Sequence, residues 1–323
     1  RREFILPPSG KAVIDQAGGS LFYCAAGLAI WENDIGLVGR VGENYPREWV
    51  EKVEQLGLDT RGIRFLSETF DQRWFCAYSD TETRHFDRPV AHFARVGLPF
   101  PKSLLGYSES SPQLDSRTIP TSLTVRINDI PGDYLDATAA HLCPMDFLSH
   151  TLIPSALRQG HISTITLDPS AGYMNPVFWD DMPHLIRGIT AFVTSEEKIT
   201  ALFQGRSHDL WEMAETLAAY GCEVVVIKRG AGGQMLYEHA SHSKWILPAY
   251  PARVYNPTGG GDAFCGGFLA GYKSTYSTLE GALAGNISAS LVIEGNGPFY
   301  ALDTLPGLAK ARRDALRSML RKA

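Results

Sequence analysis

The residue types best suited to chemistry lie together in one segment, Asn256-Pro257-Thr258-Gly259-Gly260-Gly261-Asp262-Ala263-Phe264. Pro257 fixes its own φ and disfavours helix at Asn256, which predicts a turn. Helix-forming residues follow the glycines, so we expect a helix to begin there. The free N–H groups and the dipole at a helix start attract anions such as phosphate, and glycines let a ligand approach the backbone.

Asp262 falls in the first turn of this predicted helix, where it has two compatible interpretations. It stabilises the helix N-terminus electrostatically, or it accepts a proton from a hydroxyl that attacks beside the anion site. Phosphoryl transfer requires both charge stabilisation and a base. A purely structural glycine turn is the alternative. The segment is neither a Walker A loop, since no Lys-Ser or Lys-Thr follows, nor a dinucleotide fingerprint, since its glycine spacing differs.

Composition narrows the class of protein. The chain has 323 residues, of which 44% are hydrophobic, enough to bury the core of one large domain with or without a smaller one. A net charge of −5 without a basic patch argues against nucleic acid or an anionic membrane as partner. The longest apolar run, Leu21–Trp31, is too short to span a bilayer. We therefore expect a cytoplasmic protein.

Five cysteines are scattered along the chain: Cys24, Cys76, Cys143, Cys222 and Cys265. None forms a CxxC pair, and a disulfide framework or a zinc site would need closer grouping. The favoured interpretation is buried, reduced thiols. His141, His150 and His161 likewise lack the spacing of metal ligands and are interpreted as structural or surface residues.

Strand-like and helix-like segments alternate over most of the sequence, which predicts βαβ units and a mainly parallel sheet. Asp168 ends one predicted strand, Ile162–Leu167. Ligands bind at the carboxyl ends of strands in open α/β sheets, so Asp168 could contact substrate or nucleotide; an Asp-Pro turn is an equally good interpretation. Residues Gly233–Tyr255 are β-like without an intervening helix, which indicates an antiparallel meander.

The alternation breaks between Ile63 and Phe86, where two short β-rich runs are separated by Asp80-Thr81-Glu82. This pattern is typical of a hairpin insertion that could cover a site. We therefore predict an α/β core of residues 1–62 and 90–323, with residues 63–89 as a small β-lid.

The glycine segment resembles the signature of the ribokinase-like (PfkB) carbohydrate kinases, Asp-Thr-x-Gly-Ala-Gly-Asp followed by a small residue and Phe. Gly18–Ala25 and Gly36–Gly42 are similar to the N-terminal signature of that family, and Val225–Tyr237 to its nucleotide-side strand and turn. The resemblance covers nearly the whole chain. It implies a three-layer α/β/α fold with a mainly parallel central sheet and a β-lid.

The resemblance also implies a function: an ATP-dependent phosphotransferase that moves the γ-phosphoryl group to a hydroxyl of a sugar, polyol or nucleoside. Asp262 would be the base, and Gly259, Gly260 and Gly261 would form the anion hole. The implied nucleotide-binding residues are Lys228, Gly230, Gly232 and Asn286. The implied substrate-binding residues are Glu3, Gly18, Gly19 and Tyr23. Glu197 would organise Mg²⁺ through water, whereas its neighbours Glu196 and Lys198 are expected to be solvated. Pairing through the lid would give a homodimer.

Departures from the family pattern keep alternatives open. Asn256 replaces an Asp that many members place beside a monovalent cation, which leaves K⁺ dependence open. Thr194 replaces the Asn of Asn-x-x-Glu, and Tyr23 replaces a substrate-side Asn, which suggests a pocket that stacks on a ring. The first strand of the family would precede Arg1, so we expect the central sheet to lack it. A non-catalytic binding or regulatory protein on the same fold is the second hypothesis.

Overall fold

A computed structural model of the chain describes residues 1–108, 114–319 and 321–322. Its strands are β1 (Arg2–Leu6), β2 (Val13–Ala17), β3 (Gly36–Val41), β4 (Asp59–Phe65), β5 (Arg73–Tyr78), β6 (Arg84–His85), β7 (Ala139–Leu142), β8 (Thr164–Leu167), β9 (Ala191–Ser195), β10 (Val224–Lys228), β11 (Gln234–Glu238), β12 (Ser243–Leu247) and β13 (Arg321–Lys322). Its α-helices are α1 (Ser20–Ala29), α2 (Arg47–Gln55), α3 (Pro89–Arg95), α4 (Phe147–Leu157), α5 (Met182–Ile186), α6 (Glu196–Leu202), α7 (Leu210–Ala219), α8 (Gly260–Thr275), α9 (Thr278–Val292) and α10 (Leu308–Arg317).

The largest sheet has the strand order β13-β12-β11-β10-β9-β8-β7. Strands β7 to β10 pair in parallel, and helices α4 to α7 connect them. Strands β10, β11 and β12 pair antiparallel, which confirms the predicted meander. In the described part of the chain, no helix is long and apolar enough to cross a membrane.

Strand β10 shows why helices cover both faces of this sheet. Val224 and Val226 point into a core shared with α1, α8 and α9, whereas Val225 and Ile227 point into the core beneath α4 to α7. Side chains alternate between the two faces of a strand, so an uninterrupted apolar run requires an apolar layer on each side. The predicted three-layer α/β/α fold is confirmed.

A second sheet, which we call the lid sheet, has the order β2-β1-β5-β6. The predicted insertion, residues 63–89, supplies only β5 and β6, because β4 pairs with β3 in a separate two-stranded sheet. Strands β1 and β2, which the sequence assigned to the core, complete the lid sheet. A two-stranded hairpin alone is marginally stable, and β1 brings an apolar face that packs on β5 and α3.

Strands β3 and β7 are edge strands among the residues that the structure describes, and a cavity of 1110 Å³ lies between them. Side chains of β3, β7 and α1 line this cavity. Strand β1 lies in the lid sheet and not between β3 and β7.

Helices α1 and α8 touch backbone to backbone. A Cβ atom on Gly266 would lie 1.9 Å from the carbonyl oxygen of Cys24, and one on Gly27 would lie 2.1 Å from that of Ala263. There is no room for a side chain at either crossing point. The contact therefore fixes where α8 begins relative to α1.

We expect Gly266→Ala to destabilise the fold by roughly 1–3 kcal/mol, because the added methyl group forces the two helix backbones apart. Urea unfolding followed by circular dichroism measures the change. Gly132→Ala is the matched control, since a Cβ atom there meets nothing within 4 Å. Equal stability of the two variants would show that the helices do not depend on this close approach.

Candidate active site

The turn before α8 is held by Asn256 and closed by a left-handed glycine. The buried Asn256 side chain accepts a hydrogen bond from the Thr258 N–H (3.1 Å) and donates one to the Asn296 carbonyl oxygen Oδ1 (3.0 Å). Gly259 has φ 79°, which favours glycine, and a Cβ atom on it would lie 2.1 Å from the Tyr23 ring. The turn thus takes its shape from its own sequence and from α1.

Helix α8 begins at Gly260, whose N–H donates to the Pro257 carbonyl oxygen, and the Ala263 N–H donates to that of Gly259. The N–H groups of Gly261 and Asp262 have no backbone acceptor among the described residues, so they are free to bind an anion. The Lys228 ammonium lies beside them, 3.2 Å from the Gly261 carbonyl oxygen, at the end of β10. A helix N-terminus and an ammonium group together form a positive site for a phosphate group. The predicted anion hole and the predicted nucleotide residue Lys228 are therefore neighbours.

Asp168 sits between two lysines immediately after β8. Its carboxylate accepts hydrogen bonds from Lys198 Nζ (2.7 Å) and Lys228 Nζ (2.6 Å), and the residue is only 2% exposed. Burial alone would raise its pKa, but the two ammonium groups hold the pKa of Asp168 well below its usual range. The structure places Asp168 at the candidate site as an anchor for the lysines.

Lys198 was expected to be solvated, and the structure corrects this. It lies in the first turn of α6, which Ser195 caps by accepting a hydrogen bond from the Lys198 N–H. Strands β8 and β9 are parallel neighbours, so the start of α6 and the end of β8 meet at one sheet edge. The sequence indicates that Lys198 and Asp168 are close only if the order of the strands in the sheet is known.

Asp262 is half-buried in the first turn of α8. Burial raises its pKa, and the negative charge of Asp168 raises it further. Lys228, Lys198 and a hydrogen bond from Ser20 oppose the shift without cancelling it. A carboxylate with a raised pKa is a stronger base than one in water, so the position suits proton abstraction.

The four predicted substrate-binding residues lie together where the lid sheet meets the start of α1. The Glu3 carboxylate accepts hydrogen bonds from the Gly19 N–H (2.8 Å) and from the Tyr23 hydroxyl (2.9 Å). A Cβ atom on Gly18 would lie 2.0 Å from the Glu3 carboxyl carbon. Burial raises the pKa of Glu3. Tyr23 is 1% exposed, enclosed by Glu3 and Gly259, so its ring packs within the protein and does not face a ligand.

The predicted nucleotide-side residues are placed differently from one another. Gly230 and Gly232 form an open turn after β10, and nothing lies within 4 Å of a Cβ atom on Gly230. Asn286 is buried. Its amide group donates to Gln234 Oε1 (2.7 Å) and to the Pro248 carbonyl oxygen (2.8 Å), and its carbonyl accepts from the Tyr250 N–H (2.9 Å). Asn286 therefore fixes the loop after β12.

Besides Glu3 of β1, strands β5 and β6 of the lid sheet also contact the core. Glu197, in the first turn of α6, is 81% exposed, and its carboxylate lies 3.4 Å from Arg84 of β6. Tyr78, at the end of β5, shares a 2.9 Å hydrogen bond with the Thr258 hydroxyl in the glycine turn. No sequence pattern indicates the contact of Tyr78 with Thr258, because only the tertiary fold brings the two residues together.

The fold and this site define the class of a ribokinase-like small-molecule kinase. Residues 152–305 match the pfkB family carbohydrate kinase model, and the predicted family resemblance is confirmed.

Particular relatives agree with that class. The chain is 26% identical over 272 residues to the cytidine kinase of Thermococcus kodakarensis, covering 82% of this chain and 83% of that protein. It is 23% identical over 314 residues to the 5-dehydro-2-deoxygluconokinase of Clostridium beijerinckii, covering 90% and 82%.

Solved structures share the fold at low identity. A nucleoside kinase of Burkholderia thailandensis in complex with inosine superposes with a TM-score of 0.68 at 18% identity, covering 99% of this chain and 97% of that one. A putative Ribokinase II of E. coli in complex with ATP and Mg²⁺ superposes with a TM-score of 0.66 at 16% identity, covering 98% and 96%.

We expect Asp168→Asn to cost about 3 kcal/mol or more at pH 7, because it leaves two lysines without their buried partner. The folded pKa of Asp168 is lowered, so its contribution is present above about pH 4, the ordinary carboxyl pKa, and is lost as the pH falls further. The stability difference from wild type should therefore shrink on acidification, which urea unfolding at a series of pH values measures.

The matched control is Asp87→Asn, whose exposed carboxylate forms an ion pair with the adjacent Arg88. It should leave stability unchanged. A pH-independent difference between Asp168→Asn and wild type would contradict the ion-pair account.

Proposed function

We propose that this chain transfers the γ-phosphoryl group of ATP to a hydroxyl of a small molecule, a sugar, polyol or nucleoside, with Asp262 as the base. The observation that carries the proposal is the position of Asp262. Its carboxylate, with a raised pKa, stands in the first turn of the helix whose N-terminus and neighbouring Lys228 form the anion site.

On the acceptor side, Asp262 takes the proton as the acceptor oxygen attacks phosphorus. The carboxylate must be ionised to do so, and its partial burial makes it more basic than an exposed aspartate. Asp262 is only partly buried, so a hydroxyl can approach its carboxylate. The acceptor would lie under the lid sheet, near Gly18 and Gly19.

On the phosphate side, charge develops on the oxygens of the transferred group, and fixed positive groups stabilise it. The N–H groups at Gly259–Gly261 and the Lys228 ammonium supply that charge. Asp168 keeps Lys228 in place, so little rearrangement is needed when the phosphate arrives. The open turn at Gly230 and Gly232 leaves room for the rest of the nucleotide.

The carboxylate oxygens of Glu197 and Asp262 are the donor type that Mg²⁺ prefers, and the exposure of Glu197 suits a contact through water. When bound, Mg²⁺ neutralises phosphate charge. For a K⁺ ion, the Asn256 side chain offers one carbonyl oxygen, and this atom already accepts a hydrogen bond from the Thr258 N–H. K⁺ binding at Asn256 and a homodimer through the lid sheet stay predictions.

The relatives named cytidine kinase and 5-dehydro-2-deoxygluconokinase support a sugar or nucleoside as the acceptor. A panel of nucleosides, sugars and polyols with ATP and Mg²⁺ should therefore give ADP release that depends on the acceptor. If no member of the panel causes ADP release but one of them raises the Tm, the result would favour the non-catalytic hypothesis.

We expect Asp262→Asn to lower kcat by about 10²-fold or more with a much smaller change in the KM for ATP, because it removes the base and leaves the anion site. Steady-state phosphoryl transfer measures both constants. Asp180→Asn, an exposed aspartate on the opposite helical layer, is the matched control and should behave as wild type. A folded Asp262→Asn variant with near wild-type kcat would refute the base assignment.

A further inference from the structure

Three potential metal ligands, two thiols and an imidazole, meet outside the residues described above. Cys24 lies on α1, His141 on β7, and Cys143 follows that strand. One donor atom of each, the two thiol sulfurs and an imidazole nitrogen, lie within 4.8 Å of one another. Their separation in sequence argued against a zinc site. The fold overturns that argument, because α1 packs across the end of β7.

The imidazole of His141 is oriented as a metal ligand requires. Its Nδ1 lies 2.8 Å from the hydroxyl of Thr166, a fully buried residue on the neighbouring strand β8. In the tautomer in which Nδ1 donates its hydrogen to that hydroxyl, Nε2 carries the lone pair that a metal ion would bind. Ligating histidines are held in this way by a partner on the second ring nitrogen.

The backbone of Cys143 is held in place as well. His150 Nε2 lies 2.9 Å from the Cys143 carbonyl oxygen, which fixes the backbone of the ligand. Its thiol lies beside the Cys24 thiol and the His141 ring. The thiolate is the form that binds metals.

We propose that Cys24 Sγ, Cys143 Sγ and His141 Nε2 form a binding site for Zn²⁺. Zinc accepts mixed sulfur and nitrogen ligands in tetrahedral geometry. With Zn–S bonds of about 2.3 Å, the two sulfurs would be about 3.8 Å apart, within the spread that the structure shows. Mg²⁺, which prefers oxygen ligands, does not suit this donor set.

The site is reachable and has room for a fourth ligand. All three residues line the 1110 Å³ cavity between β3 and β7, so an ion and a water molecule can enter. Cys265 of α8 interacts with His141 from the opposite side. Because Cys265 lies one turn after Asp262, a bound ion would tie α1 and β7 together beneath the catalytic helix.

The test uses the full chain, stripped with a chelator under reducing conditions, reloaded with Zn²⁺ or Mg²⁺ and dialysed. We expect elemental analysis to find one Zn²⁺ per chain. The Tm should rise with Zn²⁺ and should not rise with Mg²⁺. Co²⁺ in place of zinc should give thiolate-to-metal charge-transfer absorption. Cys24→Ala and Cys143→Ser should each lower Zn²⁺ affinity roughly tenfold or more.

Cys222→Ser is the matched control, a buried thiol in another part of the core, and should keep full zinc content. Circular dichroism checks that each variant folds, and Cys24→Ala, which retains a small apolar group, serves if Cys143→Ser does not fold. Unchanged zinc content in folded Cys24→Ala would overturn the proposal. Wild-type protein that contains no zinc after loading would also overturn the proposal. This holds even if mass analysis finds a disulfide between Cys24 and Cys143.

Discussion

The arrangement of the site depends on one buried carboxylate, Asp168, held between Lys198 and Lys228. An isolated charge at this depth would be costly in free energy, so Asp168 and the two lysines stabilise one another. Together the three residues fix the positive charge of Lys228 against the start of α8. The same carboxylate also raises the pKa of Asp262, so the anchor of the proposed phosphate site would help to set the strength of the proposed base.

Local sequence pattern was sufficient for the parts of the site that lie within one segment. The glycine turn, the helix start and Asp262 are neighbours in the chain, so their chemistry could be deduced from propensity and from the helix dipole. The βαβ alternation and the antiparallel meander after Gly233 could also be predicted, because each depends on residues close in sequence. The family resemblance then brought Glu3, Gly18 and Gly19 together with Tyr23, and they are adjacent in the structure.

Features that depend on strand order could not be deduced in the same way. Lys198 was placed in solvent because its own helix is polar, whereas the parallel pairing of β8 and β9 brings it to Asp168. The lid sheet was assigned to residues 63–89, whereas β1 and β2 complete it. The cysteine and histidine cluster has the same origin, since residues 24 and 143 meet only once α1 crosses the end of β7.

The central claim is that Asp262 is a base whose strength is set by buried neighbours, Asp168 among them. The pH dependence of kcat for wild type and for Asp168→Asn tests it most directly. Removing the negative charge of Asp168 should lower the pKa of Asp262, so the acid limb of the kcat profile should move to lower pH in the variant. A limb that stays in place, or that moves to higher pH, would contradict the account.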